Sequence, residues 1–315
     1  MSLLGVAGGV LQAVVVVIGS PLLVGIMRQV RARLEGRAGA GIGQPWRDLR
    51  KLVRKEPVSP RGTSELFRIT PLLLVATTGV VAVVTPFVTA ASAIGPVADL
   101  FAVVALLAMG TATLALAGLD TGTAFGGMGA SREMTILALV EPTLLVSIFA
   151  LSVRVGSTNL AAIVTSTLRD PARVLSPASL LAAVALIVVT VAETGRLPVD
   201  NPATHLELTM VHEAMILEYA GPDLALIELA ASMRLSVFLG LLASLFLPWG
   251  IATSLGPVAL AVGVVVFAVK VGLLGTVLAV GEVFTAKVRL FRVPELLAGS
   301  FVLGLLAVGA SFFLA

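Results

Sequence analysis

The chain has 315 residues, of which 58% are hydrophobic and 12% charged, with a mean hydropathy of +1.07. Soluble domains carry roughly 25% charged residues, so this composition excludes a water-soluble globule and indicates a membrane protein. Cysteine is absent, which excludes disulfides, Cys-held zinc and thiolate-held iron–sulfur clusters on this chain.

Apolar runs long enough to cross about 30 Å of hydrocarbon, roughly 20 residues each, occur near residues 3–27, 70–91, 97–119, 134–153, 175–192, 224–247, 257–281 and 295–314. They predict an all-α fold of eight transmembrane helices in one integral membrane domain over 1–315. The first run lacks a basic start and continues to about residue 27, so it is expected to span rather than to be a cleaved leader. Residues 28–68 carry eleven of the 21 Lys and Arg, which places that loop in the cytoplasm by the positive-inside rule. Alternation then puts both termini outside, with the 119–133 loop, the 193–223 stretch and Lys287, Arg289 and Arg292 inside. Arg154, Arg169 and Arg173 fall in the outer 154–174 loop, against the rule but too few to reverse it.

Within the first cytoplasmic loop, Gly36, Gly39, Gly41 and Gly43 make a bend. Trp46, Leu49, Leu52 and Val53 follow at helical spacing beside Arg47, Arg50, Lys51, Arg54 and Lys55. The pattern predicts an amphipathic helix on the inner surface, anchored among lipid headgroups or docked on an acidic partner. The glycines lack the G-K-[ST] ending of a phosphate loop. Deeper in the spans, Glu141 beside Pro142, Glu228, Arg234 and Lys270 are ionisable, and Glu282 closes the seventh span. Such groups cost at least ~2.5 kcal/mol in hydrocarbon and normally mark an ion or proton path. Structural pairing of Arg234 with Glu228 or Glu141 is the plainer reading.

From residue 193 onward the chain turns acidic. Glu193, Asp200, Glu207, Glu213, Glu218, Asp223 and Glu228 are seven of its 18 carboxylates, with Arg196 the only Lys or Arg among them. Asn201-Pro202 reads as a helix start and Gly221-Pro222 as a stop, predicting a helix over 202–220 with Glu207 and Glu218 on one face. His205 and His212 form a second stripe, about 10 Å apart along the axis. His-Glu-Ala-Met-Ile is not H-E-x-x-H, so relay or interface histidines are expected rather than a metal site.

These residues resemble the subunit 1 (H subunit) family of respiratory NADH:quinone oxidoreductase, and more closely its relatives in membrane-bound nickel–iron hydrogenases of the formate hydrogenlyase and hydrogenase-4 type. The resemblance rests on Gly36, Arg37, Gly39, Gly41, Gln44, Pro45 and Asp48, then Lys51, Lys55 and Glu56. It continues with Arg132 nine residues before Glu141, and with Glu193-Thr194, Arg196, Pro198, Asp200 and Pro202 as an E-T-x-R-x-P-x-D-x-P signature. Ala203, His205, Glu218-Tyr219, Glu282 and AKVRLFRVPE depart from the respiratory pattern, which argues for the hydrogenase branch and against a quinone site.

The resemblance implies a subunit without cofactors of its own, holding a soluble redox arm on the cell membrane and coupling electron transfer to proton translocation. The implied partners are nickel–iron hydrogenase-like large and small subunits, iron–sulfur subunits carrying the clusters and the nickel–iron centre, antiporter-like membrane subunits and the bilayer, with no nucleic acid. Glu141, Glu193, Glu207, Glu213, Glu218, Glu228, Arg234, Lys270 and Glu282 are the expected proton path. Arg37, Gln44, Asp48, Lys51, Lys55, Glu56, Arg132, Arg196, Asp200, His205 and His212 are the expected contacts to the arm. The alternatives are a true quinone-reductase subunit and a stand-alone secondary transporter, which would show inverted repeats and broken helices.

Overall fold

A computed structural model describes residues 3–200, 210–288 and 292–313. The described residues form eleven α-helices and no strand: α1 (Leu3–Leu34), α2 (Gln44–Val53), α3 (Glu65–Val84), α4 (Leu100–Asp120), α5 (Ala124–Val155), α6 (Leu160–Arg169), α7 (Pro177–Glu193), α8 (His212–Ile216), α9 (Gly221–Phe246), α10 (Pro257–Phe284) and α11 (Val293–Phe313). Seven of them, α1, α3, α4, α5, α9, α10 and α11, are long and apolar enough to cross a membrane. The eighth expected span, α7, has 17 residues, about 26 Å of rise and the shortest length that still reaches across.

The cross-links between loops sort the chain into two ends. At one, the Ser64 amide and hydroxyl donate to Asp120 at 2.7 and 2.9 Å, Tyr219 donates to the Phe67 carbonyl at 2.9 Å, and Val288 N donates to Pro198 O at 2.9 Å. At the other, Leu160 N donates to Ala98 O and Ala252 N to Val88 O, both at 2.9 Å. Successive connections alternate between these ends, so α7 crosses as the other seven do. A bundle of this kind satisfies every backbone group within its own helices, as hydrocarbon requires.

Local sequence sets most boundaries. Ser64, Asp99, Thr123, Asn159 and Ser176 each accept a backbone N–H as N-caps of α3 to α7. The second span ends at Val84 instead of residue 91 because Thr85 precedes Pro86 and takes extended backbone, the conformation proline imposes on its predecessor. The fourth span starts ten residues before the expected 134, at Ala124, and α5 runs on through Pro142.

The helix expected over 202–220 is corrected. Residues 201–209 lie outside the described residues, and beyond them only His212–Ile216 is helical before a turn. Gly221-Pro222, read as a stop, opens α9 instead: Pro222 occupies the first turn, where its missing N–H costs nothing. Gly221 has φ +59°, and any side chain there would strike the Glu56 carbonyl, 2.7 Å from the position of its Cβ.

α9 is the axis of the fold. It packs on α1, α2, α3, α7 and α10 and is the most enclosed span, whereas α10 and α11 lie at the periphery with most of their surface outward. Phe238, Met233 and Ile227 of α9 are each no more than 1% exposed, and the Phe87 and Phe267 rings stack at 5.4 Å nearby.

Candidate functional site

At the end that holds α2 and the 193–221 stretch, the bundle opens into a cavity of about 560 Å³. One wall is apolar, formed by Leu49 and Leu52 of α2 with Val24 of α1; the other is charged. Arg28, Arg31, Arg196 and Arg234 line it with Asp48, Glu133, Glu193, Asp200, Glu213 and Glu228. Among the described residues, six carboxylates thus face four guanidiniums around one cavity, with Arg28 and Asp48 at its exposed rim.

The pairings are specific. The Glu193 carboxylate, at the last residue of α7, accepts from Arg234 of α9, and the same guanidinium reaches Thr111 of α4 and lies 5.8 Å from the Phe238 ring. This corrects the expected pairing of Arg234 with Glu228 or Glu141: six residues along α9 put Glu228 and Arg234 about 120° apart around the helix, whereas packing of α7 on α9 brings Glu193 to the guanidinium. Glu133 stands within electrostatic reach of Glu193, Arg234 and Asp200. Among the described residues, neither Glu133 nor Glu228 makes an ion pair.

The 194–200 loop is strapped onto α10. Glu282, its side chain 2% exposed, accepts from Arg31 at 2.9 Å and from Arg196 at 3.5 Å. Lys287 and Asp200 pair at 3.0 Å. Burial pulls the Arg196 guanidinium below its usual pKa, with Glu282 opposing. Glu282 therefore acts behind the cavity wall, fixing two of the arginines that line it.

α2 forms the roof. Its amphipathic pattern is as expected, but the apolar side faces α1 and α9 rather than lipid: Leu49 and Leu52 line the cavity and the Trp46 indole N–H donates to Ile18 O at 3.3 Å. Gln44 donates to Asp48 at 2.7 Å, and Asp48 lies 3.9 Å from Arg28. Arg47, Arg50, Lys51, Arg54 and Lys55 point outward and are exposed. The loop before α2 is clasped by Gln29, which donates to Ala38 O at 2.8 Å and accepts from Gly41 N at 3.0 Å. It passes so close to α1 that a Cβ at Gly25 would lie 1.9 Å from Ile42 O.

Of the residues expected to form the path, Glu193, Glu213, Glu228 and Arg234 come together in the cavity, joined by Asp48, Arg196, Asp200 and His212 from the expected arm contacts. Glu141, Glu218, Lys270 and Glu282 do not line it. Lys270 instead donates to the carbonyls of Leu247 and Trp249 at the opposite end of α9. Arg132 donates to Met210 O at 3.0 Å, and Arg37 pairs with Glu35 in the exposed loop. Lys55 and Glu56 are exposed. His205 and Glu207 lie outside the described residues. Among the described residues no group of His, Asp and Glu could hold a metal ion.

Sequence reasoning missed Glu133, Arg28 and Arg31. Glu133 lies one residue outside the apolar run starting at 134, so composition alone places it in the 119–133 loop. The α5 helix begins at Ala124, which carries Glu133 more than two turns inside.

A family profile described as NADH dehydrogenase matches residues 8–311. The hydrogenase-4 component C of Escherichia coli strain K12 is 35% identical over 297 residues, covering 94% of this chain and 92% of that protein. Formate hydrogenlyase subunit 4 of the same strain is 33% identical over 297 residues, covering 94% and 95%. A chain from the membrane-bound sulfane sulfur reductase, an archaeal respiratory membrane complex, superposes with a TM-score of 0.80 over 96% of this chain and 99% of its own, at 20% identity. At that identity the likeness shows a shared fold.

Proposed function

The chain belongs to the NADH dehydrogenase family, in its subunit 1 branch, and from that premise we propose that it is the membrane subunit of a hydrogenase-4 or formate hydrogenlyase type complex. It seats a soluble redox arm on the end formed by α2 and the 193–221 stretch. It moves protons between that seat and the membrane through the charged cavity, and carries no electrons itself.

The observation that supports this reading best is the gathering, among the described residues, of six carboxylates and four guanidiniums around one cavity. Burial and neighbouring carboxylates both work against a surplus of negative charge, which the guanidiniums of Arg234 and Arg196 offset. Glu133 and Glu228 fit the proton-carrying role, and Glu193 and Asp200 the charge-setting one. A stand-alone carrier is less well supported, because relatives that match nearly the whole chain are named as components or subunits.

The test is to purify the assembly in mild detergent, identify its subunits, and reconstitute it in vesicles. Hydrogen production and internal pH are then measured together. Glu228→Gln and Glu133→Gln should leave assembly intact and uncouple proton movement from turnover, or slow both. Full turnover with an undiminished gradient in both variants would place the proton path in other subunits.

A further inference from the structure

The end of the bundle away from the cavity carries a cation without a counterion. Arg154, in the last turn of α5, is half-buried. Its Nη1 donates to Ser176 Oγ at 2.7 Å, to Ser179 Oγ at 3.4 Å and to Arg173 O at 3.5 Å, all of them neutral acceptors. Its Nη2 is buried and has no acceptor, and among the described residues Arg154 makes no ion pair. A guanidinium stays charged, and a charge beside an apolar layer favours a compensating anion.

Neighbouring groups deepen the deficit. Arg173 lies close enough to repel Arg154 and is itself neutralised by Asp170 at 3.0 Å, while Arg169 is exposed. Three arginines against one aspartate leave the 154–174 loop with a net charge of +2. One face of α7 is apolar and open: Leu180 is 50% exposed, Val184 48% and Ile187 49%, with Leu175, 75% exposed, just before the helix. Leu180 follows Ser176, the residue Arg154 holds, by one turn.

We infer that this loop and helix face form a binding site for an anionic phospholipid of the outer leaflet, its phosphate drawn by the net positive 154–174 loop, to which Arg154 and the exposed Arg169 contribute, and its acyl chain lying along Leu180, Val184 and Ile187. A loop of net positive charge next to an exposed apolar helix face complements both parts of such a lipid. A soluble anion would use only the first part. The site also accounts for arginines on a face where the positive-inside rule disfavours them: Arg154 and Arg169 offset a negative headgroup, and Arg173 is balanced by Asp170.

The assembly, purified in mild detergent and stripped of lipid, is heated in the presence of phosphatidylglycerol, phosphatidylcholine or inorganic phosphate. Phosphatidylglycerol should raise the unfolding midpoint, the other two should not, and Arg154→Gln should abolish the difference while Arg154→Lys keeps part of it. Arg169→Gln, an exposed change that leaves folding alone, should weaken phosphatidylglycerol about fivefold, as one surface cation near a headgroup is worth. Equal response to both lipids, an equal response to inorganic phosphate, or an unaltered response in Arg169→Gln would overturn the site. So would a photoreactive cross-linker at Leu180→Cys that captures a protein subunit in place of lipid.

Discussion

Glu193 and Arg234 form an ion pair between the last residue of α7 and the middle of α9, and the two side chains are only 5% and 12% exposed. The pair ties the acidic stretch to the most enclosed helix of the fold. It also sets which of its partners is harder to lose.

Because the cavity already holds more carboxylates than guanidiniums, removing Arg234 strands buried negative charge. Removing Glu193 leaves Arg234 with Glu133 still in reach. Arg234→Gln should therefore cost about 3–5 kcal/mol, and Glu193→Gln clearly less. Denaturant unfolding in detergent, comparing the two single variants with the double, measures this asymmetry; equal losses would mean that the cavity charges are not mutually dependent.

Gly25 lets the loop before α2 cross α1 at contact distance. Gly25→Val should push Ile42 away and lift the α2 roof, making a cysteine introduced at Leu49 react at least several times faster with a water-soluble maleimide. Gly19, where an added Cβ meets nothing within 4 Å, serves as the control. A Leu49→Cys that labels at the same rate in both backgrounds refutes the role of the crossing.

The basic face of α2 looks away from the bundle, where it meets whatever covers this end. On the proposed function, reversal of Arg50, Lys51 and Arg54 to Glu should release the redox arm during purification while leaving the membrane part folded, since these three are exposed and, unlike Arg47, which donates to Ala40 O, do not hold the loop before α2. Retention of the arm through a salt gradient would show that the seat lies elsewhere.

Orientation has a direct check, because the chain has no native cysteine. Ser59→Cys, in the exposed loop after α2, should be silent to an impermeant thiol reagent in intact cells and labelled in inverted vesicles. Labelling from outside would invert the topology.

The sequence exposed the spans because hydrocarbon imposes one requirement, length of apolar run, on every helix it contains. It exposed α2 because an amphipathic period is local information. It did not expose what the apolar side of α2 covers: the same stripe suits a lipid surface and a cavity roof, and only the packing of Trp46 on Ile18 separates them. The cavity was half legible. Glu193, Glu228, Asp200 and Arg196 stood out as charges beside apolar runs, but their grouping with Arg31 and Arg28 depends on how α1 lies against α9 and α10. Glu282 was legible as a buried charge and its role was not, since its partners, Arg31 and Arg196, are far away in the chain.

The position of α2 has a mechanical consequence. The helix presents Leu49 and Leu52 to the cavity and its arginines to the outside, so only about 10 Å of protein separates a docked partner from the carboxylates beneath. A ten-residue helix covers roughly 15 by 10 Å, and an ångström of inward travel removes about 150 Å³ from a chamber of about 560 Å³. On the proposed function, a thermal-scale displacement of a docked partner would change the water content of the chamber by several molecules, so that the roof would act as a diaphragm between that partner and the carboxylates beneath.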